Sequence, residues 1–314
     1  MKKQKSFQKK SFSRVVVVCD GQILPSADTT HDSTDSLNPQ NLFVSQDPIP
    51  NITYHIFCSD YDDMFLFLPF YHSTAIFIHA IIMSSLAVSR TLFITGASSG
   101  IGAATAAAAV ASGWNVALMA RRADKLEEVV ASLETLSANK ALAVPGDVTD
   151  LSSIEAAVQK AVDMFGGIDA AFVNAGTGIS KPGTENGDPA EWKQLVDINI
   201  MGVLYTTRAV LPALKKSKGS LVLTGSIAGK VHLKGSIYGA SKWFVQGYAG
   251  NMAEEMREWG GRCCVVCPGM VNTEFFDEPK PDKLQPEDVA QSVMHAISAP
   301  DRASIRELVI MPQN

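Results

Sequence analysis

From Arg90 onward the apolar positions fall in short unbroken runs separated by longer stretches of mixed pattern. TLFIT (91–95), NVALMA (115–120), ALAVPGD (141–147), IDAAFVNAG (168–176), GSLVLTGS (219–226), GRCCVVCPG (261–269) and RELVIMP (306–312) read as strands. Runs without polar alternation are what strands covered on both faces look like, as in a parallel sheet. Between them lie helical stretches: the Ala-rich AATAAAAVAS ended by Gly113, ADKLEEVVASLETL with acids near its start, and longer helices over 191–214 and 238–259. Strand and helix alternate to the C-terminus. The pattern predicts an α/β fold, a single doubly wound parallel sheet with helices on both sides, occupying residues 89–314 as one domain.

The first 88 residues follow another grammar. One of the 23 glycines (Gly21) and no glutamate precede position 91. Six basic residues (Lys2, Lys3, Lys5, Lys9, Lys10, Arg14) crowd the first 19 positions, and eight aspartates without Lys or Arg follow between Asp20 and Asp63. No period of 2 or 3.6 persists there, which predicts an irregular or disordered N-terminal extension. The uncharged run 64–82 (MFLFLPFYHSTAIFIHAII) reaches the length of a membrane span. Pro69, His72, Ser73, Thr74 and His79 argue against one. Met83 opens a short polar lead-in to the first strand, so a natural start at Met83 with a non-native leader before it is the favoured expectation. A membrane anchor or a functional tail are the alternatives.

Over the whole chain, 46% hydrophobic and 19% charged residues with a net charge of -5 exclude a disordered chain and a basic nucleic-acid binder. Five cysteines are too few and too clustered for a disulfide framework, which implies a reducing, cytoplasmic compartment.

Candidate chemistry begins at the first strand-to-helix turn, Gly96-Ala97-Ser98-Ser99-Gly100-Ile101-Gly102. Glycines there allow a tight turn and close approach of backbone to a pyrophosphate, and the helix N-terminus offers free N–H groups. This predicts a Rossmann-type dinucleotide site. An acidic residue commonly closes the second strand where NAD binds; here Arg121 and Arg122 follow Ala120. Two guanidinium groups suit a 2′-phosphate, with a hydroxyl contact from Ser98, so NADP(H) is the expected cofactor.

Tyr238 and Lys242 stand four residues apart, on one helix face. A neighbouring cation favours the phenolate and should bring the tyrosine toward a usable general acid/base. Ser226, closing a strand twelve residues earlier, can hold a substrate oxygen beside the phenol. Asn199, inside the apolar stretch VDINIMG, wants a buried partner or a water.

With those residues in place, the region from about 91 to 312 resembles the short-chain dehydrogenase/reductase family in motif order and spacing. The matching elements are Thr95-Gly96 with Gly100 and Gly102, Asp147, Asn174-Ala175-Gly176, Asn199, Ser226, Tyr238 with Lys242, and Pro268-Gly269 with Thr273. The resemblance implies that Tyr238 donates or accepts the proton, assisted by Lys242, which also binds the nicotinamide ribose. Ser226 would orient the carbonyl and Asn199 would hold a water in a proton relay. Asp147 would contact adenine, with Val148 beside it. Asn174, Ala175, Gly176, Pro268, Gly269 and Val271 would line the cofactor, and Thr273 would meet its carboxamide. Val173 departs from the family, which usually has a second Asn there.

ARRADKLEE, PGMVNTEF and ELVIMP look most like NADP-dependent 3-hydroxy acid (serine-type) dehydrogenases. Yet the stretch from Phe275 to Pro286 is short for their substrate lid, and no Arg lies in 177–190, 227–237 or 270–285 to meet a carboxylate. Lys230, His232 and Lys234 are poor substitutes. The expectation is therefore an NADP(H)-dependent oxidoreductase interconverting a hydroxyl and a carbonyl on a small molecule. A catalytically silent NADP-binding sensor or scaffold is the alternative. Cys264 and Cys267, three apart in a strand, should face opposite sides of the sheet, and no metal site is expected. Apolar residues on several faces of the helices around Asn199 and Tyr238, and the family resemblance, imply a homodimer or homotetramer.

Overall fold

The structure is a computed structural model that describes residues 89–134, 140–181 and 183–313, together with the backbone of three short strands nearer the N-terminus. The chain divides into two compact units, Met1–Ala87 and Val88–Asn314. In the first, β1 (Val16–Cys19) pairs antiparallel with β2 (Gln22–Ile23) and β3 (Ile52–His55). The apolar run 64–82 and the remainder of the expected irregular extension lie outside the described residues.

The second unit is the predicted doubly wound sheet. Its strands are β4 (Thr91–Thr95), β5 (Asn115–Ala120), β6 (Ala141–Pro145), β7 (Ala170–Val173), β8 (Ser220–Thr224), β9 (Arg262–Pro268) and β10 (Glu307–Ile310). All pair in parallel in the order β10-β9-β8-β7-β4-β5-β6. The inner strands are covered on both faces, as their unbroken apolar runs require; every residue of β4 is buried. β6 and β10 form the edges and are only half covered.

Helices α1 (Gly100–Ala111), α2 (Ala123–Glu134) and α7 (Pro286–Ile297) bury Ala106, Val110, Leu126 and Val293 against Leu92, Ile94, Leu118 and Val266 on one face. On the other face α3 (Leu151–Phe165), α5 (Gly202–Ser217) and α6 (Ile237–Arg257) bury Ile154, Val210, Leu214, Val245 and Met256 against Phe93, Met119, Leu221 and Val265. Cys264 belongs to the first core and Cys267 to the second, opposite sides as their spacing requires.

One boundary differs from the pattern. The helix expected over 191–214 is three pieces: α4 (Pro189–Val196), a π turn (Asp197–Met201) and α5. The Gly202 N–H reaches the Asp197 carbonyl five residues back, and the widened turn puts Asn199 in the interior. Chain order reverses at β4, which has β5 on one side and β7 on the other. The crevice at the carboxyl ends of such strands is where this architecture binds ligands. Among the described residues no helix is long and apolar enough to cross a membrane.

Candidate active site

The glycine-rich turn sits at that crevice. Gly96 and Gly100 adopt φ of 65° and 54°, left-handed values that disfavour any side chain. A methyl group on Gly102 would lie 2.3 Å from the Gly96 carbonyl oxygen, so the helix enters the turn as closely as backbone permits. This is the cradle a pyrophosphate needs at the N-terminus of α1. Ser98 and Ser99 sit within it, and the Ser99 side chain makes no cap on α1. Ile101 is packed partly into the core.

Asn174 fixes this turn to the neighbouring strands. Its Nδ2 donates to the Thr95 and Gly96 carbonyls at 3.2 and 3.3 Å, and its Oδ1 accepts from Thr224 Oγ1 at 3.2 Å. Thr95 Oγ1 in turn accepts from the backbone N–H groups of Asn174 and Ala175 at 3.0 and 3.2 Å. Thr95 and Thr224 thus lock β4, β7 and β8 together; Thr224 was not among the sequence candidates, because a Thr at a strand end carries no signal of its own. Val173, where the family usually has an Asn, is 3% exposed and serves the core.

The side chains expected to do the chemistry converge where β8 meets the start of α6. Ser226 is buried directly after β8 and accepts from the Ala228 N–H at 3.1 Å, capping a short 3-10 turn (Ile227–Gly229). Ser236 caps α6, which sets Tyr238 and Lys242 in its first two turns. Lys242 is 5% exposed and donates through Nζ to the Thr224 carbonyl at 2.8 Å. Its ammonium lies 5.8 Å from the Tyr238 ring centre.

The electrostatics differ from the expectation based on spacing. Burial pushes the Tyr238 phenol up, and a hydrogen bond with Ser226, not the charge of Lys242, is what opposes it. Lys242 itself is lowered to about 8, chiefly because burial disfavours its charge. Loss of water around the pair outweighs the attraction that the i, i+4 spacing promised.

Asn199 is buried and fully engaged. Its Oδ1 accepts from the Thr177 N–H at 2.8 Å, and its Nδ2 donates to the Thr177 carbonyl at 2.9 Å and to Ser241 Oγ at 3.2 Å. It therefore holds the segment after β7 against α6. A methyl group on Gly176 would sit 3.4 Å from Asn199 Oδ1 and 3.8 Å from Lys242 Nζ, which brings these three together.

The remaining candidates are spread along the crevice. Arg121 and Arg122 are exposed just after β5, and Arg122 donates to Ser98 and Ser99. Asp147 accepts from the Thr149 N–H and hydroxyl at 2.9 and 3.0 Å. The side chains of Val148 and Val271 are turned into the core, at 9% and 5% exposure, leaving only their backbone for a ligand. Pro268 ends β9, and the Gly269 N–H is spent on the Ile310 carbonyl at 2.7 Å. Thr273 lies against the turn, its methyl 3.1 Å from where a Gly100 side chain would begin.

A family model described as short chain dehydrogenase matches residues 90–284. An uncharacterized oxidoreductase of Staphylococcus aureus is 34% identical over 224 residues, covering 70% of this chain and 95% of that protein. The chain belongs to the short-chain dehydrogenase family. It is an oxidoreductase by that membership. Among solved structures, the dehydrogenase fold matches an alcohol dehydrogenase of Thermococcus sibiricus complexed with 5-hydroxy-NADP, at 28% identity and TM-score 0.67, over 72% of this chain and 97% of the other. The serine dehydrogenase of Escherichia coli aligns at 26% identity and TM-score 0.63, over 71% of this chain and 97% of the other.

Two of the three basic residues considered for a substrate carboxylate have partners of their own. Lys230 is ion-paired with Glu307, and the His232 ring lies 5.4 Å from that of Trp243.

Proposed function

We propose that the chain is an NADP(H)-dependent oxidoreductase that interconverts a hydroxyl and a carbonyl on a small molecule, with Tyr238 as general acid/base. The observation that carries this reading is the convergence of Tyr238, Ser226 and Lys242, tied through Thr224 and Asn174 to the glycine-rich turn that suits a phosphate. The bare backbone at Gly96, Gly100 and Gly102 and the exposed pair Arg121 and Arg122 fit a dinucleotide carrying a 2′-phosphate. The complex of the Thermococcus sibiricus relative with 5-hydroxy-NADP supports the same choice.

Bound nicotinamide would supply or take up the hydride. The protein does the rest. Ser226 orients the substrate oxygen toward the phenol. In reduction Tyr238 donates its proton to that oxygen; in oxidation it takes the proton back. Burial pushes the phenol up from its ordinary range, further favouring the protonated form that reduction requires. Lys242, held by the Thr224 carbonyl, would bind the nicotinamide ribose. Asn199 keeps the lining segment at Thr177 in register.

Three further features complete the proposal. The outer groove along α5 and α6, lined by Arg208, Leu211, Pro212, Tyr248, Met252 and Glu255, supports a homodimer or homotetramer formed through these helices. The free buried thiols of Cys263, Cys264 and Cys267 support a reducing, cytoplasmic setting. The likeness to the serine dehydrogenase puts 3-hydroxy acids among the substrates to be tested.

Tyr238→Phe tests the reading. The variant should lose turnover and keep its NADPH affinity, whereas residual turnover above about a tenth of wild type would overturn the role of Tyr238. No turnover in the wild type on any carbonyl, with NADPH still bound, would favour a sensor that uses the cradle alone.

A further inference from the structure

Phe275 lies two residues past Thr273, on the loop that follows β9. Its ring centre is 5.7 Å from that of Tyr238, tilted by 51°, within the range of attractive aromatic pairs. Phe276 buttresses it edge-on at 5.3 Å. The rim of the ring leans on Gly178: a methyl group there would sit 3.0 Å from the tip of the ring. The ring therefore occupies a socket between the segment after β7 and the phenol. Even so, 45% of Phe275 remains exposed beside the Tyr238 phenol.

The charges around it point the same way. The segment 274–283 carries four acids (Glu274, Asp277, Glu278, Asp282) and two lysines, and Lys280 and Lys283 are each paired with a neighbouring acid. Lys230 and His232 are engaged with Glu307 and Trp243. The cation beside the phenol, Lys242, is already held by the Thr224 carbonyl, while a flat apolar group would cover the exposed part of Phe275 and remove it from water.

We infer that Phe275, seated on Gly178 beside Tyr238, is a specificity-determining residue that selects uncharged carbonyl compounds bearing an aryl group next to the reacting carbon. The inference rests on the reading of Tyr238 as proton donor.

The full chain with NADPH is assayed on acetophenone, butanone and acetoacetate. Wild type should prefer acetophenone to the other two by at least tenfold in kcat/KM. Phe275→Ala should lose tenfold or more on acetophenone, mainly through KM, and under threefold on butanone, with NADPH affinity unchanged. Phe275→Trp should keep the preference. Gly178→Val, which evicts the ring from its socket, should reproduce the alanine variant. Equal losses on both ketones, or a preference for acetoacetate, would overturn the assignment. Calorimetric titration of acetophenone into the protein saturated with NADP separates the two levels of argument. If no carbonyl is turned over yet acetophenone binds wild type and not Phe275→Ala, the role of Tyr238 fails and that of Phe275 stands. If acetophenone binds both alike, the role of Phe275 fails.

Discussion

Arg122, just after β5, and Glu274, on the loop after β9, face each other with Nη2 and Oε2 3.5 Å apart. The same guanidinium donates to Ser98 Oγ at 3.2 Å and Ser99 Oγ at 3.3 Å. Both charged side chains are half or more open to water, so the pair contributes at most about 1 kcal/mol to stability. Its consequence is for the cofactor: the group proposed to read a 2′-phosphate already has a carboxylate beside it.

Arg121→Ala combined with Arg122→Ala should therefore weaken NADPH binding by about 1–3 kcal/mol and leave NADH almost unaffected. Glu274→Gln should act in the opposite sense, tightening NADPH severalfold, because the phosphate no longer competes with and is no longer repelled by the carboxylate. Fluorescence titration with both dinucleotides measures each effect. Equal changes for NADPH and NADH would mean that neither arginine reads the phosphate.

Ser226 opposes the upward push that burial exerts on Tyr238. Removing its hydroxyl leaves burial alone, so the phenol in Ser226→Ala should titrate higher still. Alcohol oxidation needs the deprotonated form; its rate rises with pH, and that limb should move to more alkaline pH in the variant. The turnover plateau should also fall, by roughly ten- to a hundredfold, as the substrate oxygen loses a positioning group. A limb that stays in place or moves to lower pH would show that the Ser226 hydroxyl does not act on the phenol.

The strands were legible because burial on both faces writes an unbroken apolar run; each of the seven in 89–314 lies within the stretch its run marks. The glycine-rich turn was legible because its left-handed positions favour glycine. Asn199 stood out as misplaced in an apolar helix, but its partners Thr177 and Ser241 are 22 and 42 residues away, and no local pattern connects them. Tyr238 and Lys242 were found by spacing, while the direction of their electrostatics was not, since desolvation depends on what covers the pair. Phe275 escaped because a half-exposed aromatic on an irregular loop has no period to betray it.

Asn199 offers a test of the segment it holds. In Asn199→Ala the Thr177 N–H loses its acceptor and the Thr177 carbonyl loses a donor. Unpaired polar groups in a covered site cost about 1–3 kcal/mol. Chemical denaturation should show a loss of that order, accompanied by reduced turnover as the lining at Gly176 and Thr177 loosens. A variant within about 0.5 kcal/mol of wild type would place the support of that segment elsewhere.

Lys242 yields the last prediction, in which activity and stability move in opposite directions. Its ammonium is lowered from an ordinary 10.5 to about 8 by burial, so the folded protein disfavours the charge. Below pH 8 folded and unfolded chains both carry the proton, and the full cost of burying it is felt. Between about 8 and 10.5 the unfolded chain holds more protons than the folded one, so stability rises with pH; above that window the contribution is flat. Lys242→Met removes the charge but also leaves the Thr224 carbonyl without its donor at 2.8 Å, which offsets part of the gain. At pH 7, without dinucleotide, the methionine variant should be more stable than wild type by roughly 2 kcal/mol while being inactive. The gap should close as the pH is raised through 8 to 10, since only the wild type gains over that range. Urea denaturation of both proteins at pH 7 and pH 10 measures the difference. A gap that does not narrow would mean that Lys242 is not held against its charge in the folded protein.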